Sequence, residues 1–152
     1  MNSDEPTAQQ TLVAAAARNL LDPQGRDLAA QVEWWPLTEL GDDGPWPVAV
    51  LGEGPPVLLL HGFDSSFLEF RRLAPLLASG VQLFIPDLYG FGFCPRPAWG
   101  DYSPGGVLRH LEALMRAIGN RNTAPLGLIG ASMGGSVAVE LARRLPEQVN
   151  RL

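Results

Sequence analysis

Apolar residues follow two different rhythms along this chain. Val57, Leu58, Leu59 and Leu60 form a run without polar alternation, the pattern of a strand buried on both faces of a parallel sheet. Residues 81–85 and 126–129 read as a second and a third buried strand. Between these runs the period lengthens to three and four. Phe67, Phe70, Leu73, Leu76 and Leu77 predict a helix over 67–78, and Val107, Leu111, Leu114, Met115 and Ile118 predict another. A third spans 133–145, with Val137, Ala138, Leu141 and Leu145 inward and Glu140, Arg143 and Arg144 outward. Upstream, an alanine-rich stretch predicts a short helix over 12–21 that ends before Asp22-Pro23 and Gly25. Val32, Trp34, Trp35 and Leu37, and then 46–51, predict two strands around a turn at 41–45. Strands alternating with helices through short loops predict an α/β domain whose mostly parallel sheet is flanked by helices. Residues 1–30 read as a polar and helical N-terminal extension, and residues 31–152 as the sheet-bearing domain.

Composition narrows what such a domain does. A formal charge of −5 argues against a phosphate-backbone binder, so nucleic acid is not an expected partner. All 11 basic residues are arginine, which excludes a Schiff-base lysine, a Ser-Lys dyad and a P-loop lysine together. The single cysteine, Cys94, cannot close an intramolecular disulfide and fits a reducing compartment. No apolar run approaches the roughly 18 to 20 residues of a membrane span, and the first ten residues are polar and acidic rather than signal-like. Cytoplasm is the expected location. The 17 glycines and 14 prolines lack a collagen period and are too few for a low-complexity chain, so they act as placed punctuation.

That punctuation falls at the strand ends, where open α/β sheets bind and react. Gly130-Ala131-Ser132-Met133-Gly134 lies between a predicted buried strand and a predicted helix. A G-x-S-x-G in this context is a nucleophile elbow: a sharp turn holds Ser132 in a strained conformation with its hydroxyl raised above the sheet. The helix behind it aims free backbone N–H groups at any oxyanion that forms. His61-Gly62-Phe63 follows the first buried strand, and Pro86-Asp87-Leu88-Tyr89-Gly90-Phe91-Gly92 follows the second. Other titratable groups read as structural. His110 sits between Arg109 and Glu112 and reads as surface, Asp87 as a turn organiser, and Asp64 as a cap for the helix after it. Cys94 has no histidine near it in sequence. Tyr89, Phe91 and Phe93 are candidates for an acyl-pocket lining or for packing under their loop.

The three segments, in this order and spacing, resemble the α/β-hydrolase superfamily from about residue 31 onward; the HGFDSSFLEFRRL stretch also looks similar to hydrolases of cyanobacteria and chloroplasts. The resemblance implies Ser132 as nucleophile, with backbone N–H groups of Phe63 and Met133 as the oxyanion hole and His61 and Gly62 supporting that loop. A serine at the elbow separates the chain from the dehalogenase and epoxide-hydrolase branches, which carry aspartate there. The expected activity is serine-esterase or lipase-like acyl hydrolysis through acyl-Ser132, with an ester-like substrate and no metal or organic cofactor. A carbon–carbon bond hydrolase, an aminopeptidase, a cofactor-free haloperoxidase and a non-catalytic binding or scaffold protein are the alternatives. In the resembled fold an acid and then a histidine follow the nucleophile, whereas Glu140 and Glu147 are the only acids after Ser132 and no histidine follows it. The expectation is therefore an α/β-hydrolase fold truncated after the nucleophile-elbow helix. A strand that begins near residue 149 would be completed by a missing C-terminal half or a second chain.

Overall fold

A computed structural model describes residues 5–41 and 45–152. The N-terminal segment forms helices α1 (Ala8–Asn19) and α2 (Pro23–Ala29), and strands β1 (Val32–Trp35) and β2 (Trp46–Leu51) follow. Next come β3 (Pro56–Leu60), a short α3 (Ala74–Leu77), β4 (Gln82–Pro86), α4 (Pro104–Arg121), β5 (Leu126–Gly130), α5 (Met133–Arg144) and β6 (Val149–Arg151). Asp42, Asp43 and Gly44 of the turn read between the first two strands lie outside the described residues, as do residues 1–4 of the extension.

The six strands form one mixed sheet in the order β1-β2-β4-β3-β5-β6. β4, β3, β5 and β6 run parallel to one another, while β2 is antiparallel to β4 and β1, at the edge, is antiparallel to β2. The expected parallel block is present, with the antiparallel strands β1 and β2 added at its β4 edge; a 3₁₀ turn, Thr38–Leu40, lies between them in sequence. Successive β3 side chains alternate faces: Leu58 and Leu60 enter a core with α4 and α5, and Leu59 enters a second core with α2 and the segment after β3. This two-sided burial explains the unbroken apolar run. β6 pairs with β5 only at Leu126 and Gly127. The outer edge of β5 from Leu128 to Gly130 has no strand neighbour among the described residues, and Ile129, read as buried, is 38% exposed.

Three local expectations change. Asp22-Pro23, read only as a stop, also starts α2: the Asp22 carboxylate accepts the Gln24 N–H, and Pro23 occupies a first-turn position where no N–H is needed. The predicted 67–78 helix is broken into a 3₁₀ turn (Phe67–Phe70) and α3. Pro75 has no N–H for the Arg71 carbonyl and its ring would collide with it, so one continuous α-helix cannot form. Ser66, not Asp64, caps the 3₁₀ turn by accepting the Leu68 N–H at 3.3 Å.

His110 is a further correction. It is 2% exposed, not on the surface. Its ring stacks on Tyr89 at 5.5 Å and meets Trp46 edge-on at 4.6 Å. Among the described residues neither ring nitrogen has a hydrogen-bond partner, and burial pushes its pKa from 6.5 down to about 3. Because the folded value lies below the unfolded one, only the unfolded chain takes up this proton between those pH values, and stability is lost as pH falls through that window. At about 1.4 kcal/mol per pKa unit the loss is on the order of a few kcal/mol. His110→Phe keeps the stacking and removes the titration. In urea denaturation its stability relative to the parent is expected to rise steadily from pH 7 to pH 4; a pH-independent difference would contradict this account.

Candidate functional site

The carboxyl ends of β3, β4 and β5 converge on one place. β5 runs into the turn Gly130–Gly134, where Ser132 takes φ 50° and ψ −117°, a left-handed conformation that costs a β-carbon-bearing residue of order 1–3 kcal/mol. The turn is tight: Gly134 N–H donates to Ala131 O at 2.8 Å and Gly135 N–H to Ser132 O at 2.9 Å. Two glycines make it sterically allowed. A β-carbon on Gly130 would lie 2.2 Å from the Gly134 carbonyl oxygen, and one on Gly134 would lie 2.1 Å from that of Leu60 in β3. Ser132 is thereby pressed to the surface, exposed at the N-terminus of α5. Its hydroxyl makes no hydrogen bond to a described residue.

Opposite the elbow lies the loop leaving β3. Gly62 packs against it, since a β-carbon there would come 3.5 Å from Ser132 Cβ. His61 is fully buried. Its Nε2 accepts the Leu88 N–H at 2.9 Å, which leaves the proton on Nδ1 to be donated to Gly62 O at 2.7 Å. Burial holds its pKa below the ordinary histidine value, against the opposing pull of Gly62 and Glu69. A ring engaged at both nitrogens and closed to solvent is a brace and not a free base. In a trans peptide the C=O and N–H point opposite ways. Tying Gly62 O to His61 therefore turns the Phe63 N–H away from that ring. Among the described residues neither the Phe63 nor the Met133 N–H donates to a protein acceptor. Asp64, next in the loop, has φ 52°, the only other non-glycine residue with positive φ among those described.

Asp87 organises the loop after β4. One carboxylate oxygen accepts the Phe67 N–H at 2.6 Å and the other the Phe93 N–H at 2.5 Å. Burial raises its pKa to about 7, and those two N–H groups and Arg96 limit the rise. Cys94 donates its Sγ–H to Asp87 O at 3.3 Å, and burial pushes its thiol pKa well up. It is a packing residue and not a thiolate. The three loop aromatics separate: Phe93 packs on Phe67, Tyr89 stacks with His110, and Phe91 alone faces the space beside the elbow.

That space is a cleft of about 450 Å³, walled by Phe63, Phe91, Tyr102, Val107, Met133 and Val137. Its size and apolar lining fit a small-molecule pocket. Phe63 is 72% exposed at its rim. Glu140, at the same cleft, is not a free acid: Arg143 and then Arg144 hold its pKa down to about 2.

Pattern reading passed over one polar group here. Glu69, in the 3₁₀ turn, accepts the Gly62 N–H at 2.8 Å. Within the predicted helix it had no assigned role. The break that turns it toward Gly62 was signalled by Pro75.

Residues 55–152 match a protein-family model described as alpha/beta hydrolase fold. Over 99 residues the chain is 38% identical to Lipase 3 of Moraxella sp. (strain TA144), covering 65% of this chain and 30% of the lipase. Over 104 residues it is 33% identical to the 2-hydroxymuconate semialdehyde hydrolase of Pseudomonas sp. (strain CF600), covering 66% and 36%. Among solved structures, epoxide hydrolase VrEH1 from Vigna radiata superposes with a TM-score of 0.62 at 30% identity, over 68% of this chain and 32% of that one. The chain thus spans about a third of the length of each. No helix among the described residues is long and apolar enough to cross a membrane.

Proposed function

Because the chain belongs to the alpha/beta hydrolase fold family, we propose that it carries the nucleophile half of a serine hydrolase acting by acyl transfer to water. The observation that carries this reading is Ser132: strained, exposed, seated at a helix N-terminus, and with a hydroxyl that has no hydrogen-bond partner among the described residues. The N–H groups of Phe63 and Met133 supply the oxyanion hole, and His61 and Gly62 hold the Phe63 loop. Ser132 Oγ attacks the substrate carbonyl carbon as a base removes its proton, and the carbonyl π electrons move onto oxygen. The two N–H groups bind that oxyanion. Collapse expels the alcohol, which takes up the proton, and leaves acyl-Ser132. Water then attacks the acyl carbon by the same sequence, restoring the serine and releasing the acid. The apolar cleft beside the elbow favours an ester with an apolar acyl group.

His61 and His110 are both unsuited as the base, since one is engaged at both nitrogens and the other is buried in an aromatic stack. A histidine and an orienting acid from outside this chain, in a further segment or a second polypeptide, complete the proposed triad and extend the sheet beyond β6. A hydroxyl nucleophile suits carbonyl substrates. Epoxide opening by the carboxylate branch needs a nucleophile whose ester can then be hydrolysed at its own carbonyl, which serine cannot provide. Carbon–carbon bond hydrolysis is the second reading, favoured by the likeness to the semialdehyde hydrolase.

The test is labelling of the active protein by a fluorophosphonate probe, with peptide mapping. Labelling at Ser132 is expected, together with faster turnover of p-nitrophenyl esters than of vinylogous diketones. An active protein unlabelled at Ser132 overturns the nucleophile assignment. Preference for the diketone keeps the nucleophile and moves the substrate to the second reading.

A further inference from the structure

Glu69 directs its carboxylate at the backbone of the loop after β3. It is exposed, yet no arginine among the described residues pairs with it. Its near neighbour Arg71 pairs instead with Asp22 at 2.6 Å. Glu69 Oε2 takes the Gly62 N–H at 2.8 Å, a charge-assisted bond of the stronger class. A β-carbon imagined on Gly62 would stand 3.6 Å from this oxygen and 3.5 Å from Ser132 Cβ, so the carboxylate and the proposed nucleophile flank one glycine.

Gly62 is the weak point of an oxyanion loop. Without a β-carbon its two flanking peptide planes have a wider range of allowed rotation than those of other residues. If the following plane flips, a carbonyl replaces the Phe63 N–H. His61 Nδ1 restrains that following plane by donating to Gly62 O at 2.7 Å, and the Glu69 carboxylate restrains the preceding one. The turn that carries Glu69 is fixed in its own right, because the Phe67 N–H at its start is held by buried Asp87 at 2.6 Å.

From this geometry we infer that Glu69 is a positioning residue of the oxyanion loop. It holds the His61–Gly62 peptide so that the Phe63 N–H stays available to the oxyanion at Ser132. The inference rests on the hydrolase reading above. Its contribution is geometric: a negative charge near a developing oxyanion opposes catalysis, so the acceptor atom is the useful part of Glu69 and the charge is not.

The two parts separate by substitution in the active protein. Glu69→Gln keeps an acceptor oxygen and loses the charge; Glu69→Ala and Glu69→Met lose the acceptor, and Glu69→Met keeps most of the stem should the shorter variant not fold. For an apolar, uncharged ester, Ala and Met are expected to lower kcat by roughly 10- to 100-fold, the scale of a small misplacement of catalytic groups, with KM changed less than about threefold. Gln is expected to restore kcat to within about threefold of the parent. Unfolding midpoints follow each variant, and Ser132→Ala is measured beside them. An unchanged kcat in Ala and Met overturns the inference while an inactive Ser132→Ala leaves the hydrolase reading intact. A Gln variant as impaired as Ala also overturns it, by showing that the charge matters. Hydrolysis by Ser132→Ala would sink the hydrolase reading itself, whatever the Glu69 variants do.

Discussion

Ser132→Ala is expected to reduce ester hydrolysis by the active protein at least about 10³-fold while leaving the fold intact, because a nucleophile and its base act as one unit whose loss is nearly total. The structure makes this a clean substitution. The Ser132 hydroxyl has no described partner to lose. Alanine keeps the β-carbon, so it meets the same backbone restriction at φ 50° and adds no new one. Steady-state kcat/KM with a p-nitrophenyl ester is the measurement, with near-ultraviolet circular dichroism and the unfolding midpoint as controls. An inactive variant with a parental spectrum is expected. Activity within tenfold of the parent would mean that another group attacks the substrate and that the elbow is only a turn.

The second large effect is on folding. Gly134→Ala is expected to destabilise the chain by about 3 kcal/mol or more, at or above the upper end for overpacking a core. The new β-carbon would stand 2.1 Å from Leu60 O and 2.6 Å from His61 O. Both are backbone atoms, which cannot rotate aside as a side chain would. Either α5 lifts off the sheet or the end of β3 shifts, and each movement disturbs the pairing of Leu60 with Gly130. Gly119→Ala is the contrasting substitution. It lies in α4 with nothing within 4 Å of the added carbon, so helix propensity alone predicts a gain of up to about 1 kcal/mol. Urea denaturation of the two variants against the parent measures both. Equal and small changes would show that the close approach of α5 to β3 is slack.

The strand framework was legible because short, mainly apolar runs ended by turn residues, His61-Gly62 after β3, Pro86-Asp87 at the end of β4 and Gly130 at the end of β5, leave little choice but a strand in a covered sheet. The elbow was legible for a related reason, since its two glycines answer to backbone overlaps at about 2 Å and not to any property of a substrate. Where sequence reading failed, two signals competed. Asp22-Pro23 ends one helix and starts the next, and only the starting half of that signal separates α2 from a loop. At 67–78 the apolar period was real, but it reports which side chains face the core and not whether the backbone hydrogen bonds are continuous; Pro75 decided that. His110 lies three residues after Val107 and four before Leu114, on the buried stripe of α4, and its general polarity was given more weight than its position. Glu69 was beyond reach from pattern alone. Its partner is the backbone amide of Gly62, seven residues away, and a carboxylate that caps a loop looks in sequence like one that faces water.

His61 also carries a mechanical meaning. Its ring links the amide at the exit of β4 to the carbonyl at the exit of β3, through bonds of 2.9 and 2.7 Å. Both anchors lie two residues beyond adjacent strands of the sheet, which pair in register from Pro56 to Leu58. His61 thus adds a second tie between two segments already joined by the bond from Phe67 N–H to Asp87. Neither can be redesigned alone: a graft that replaces one loop after β3 or β4 without its counterpart would cut the linkage, even where every residue that touches substrate was kept.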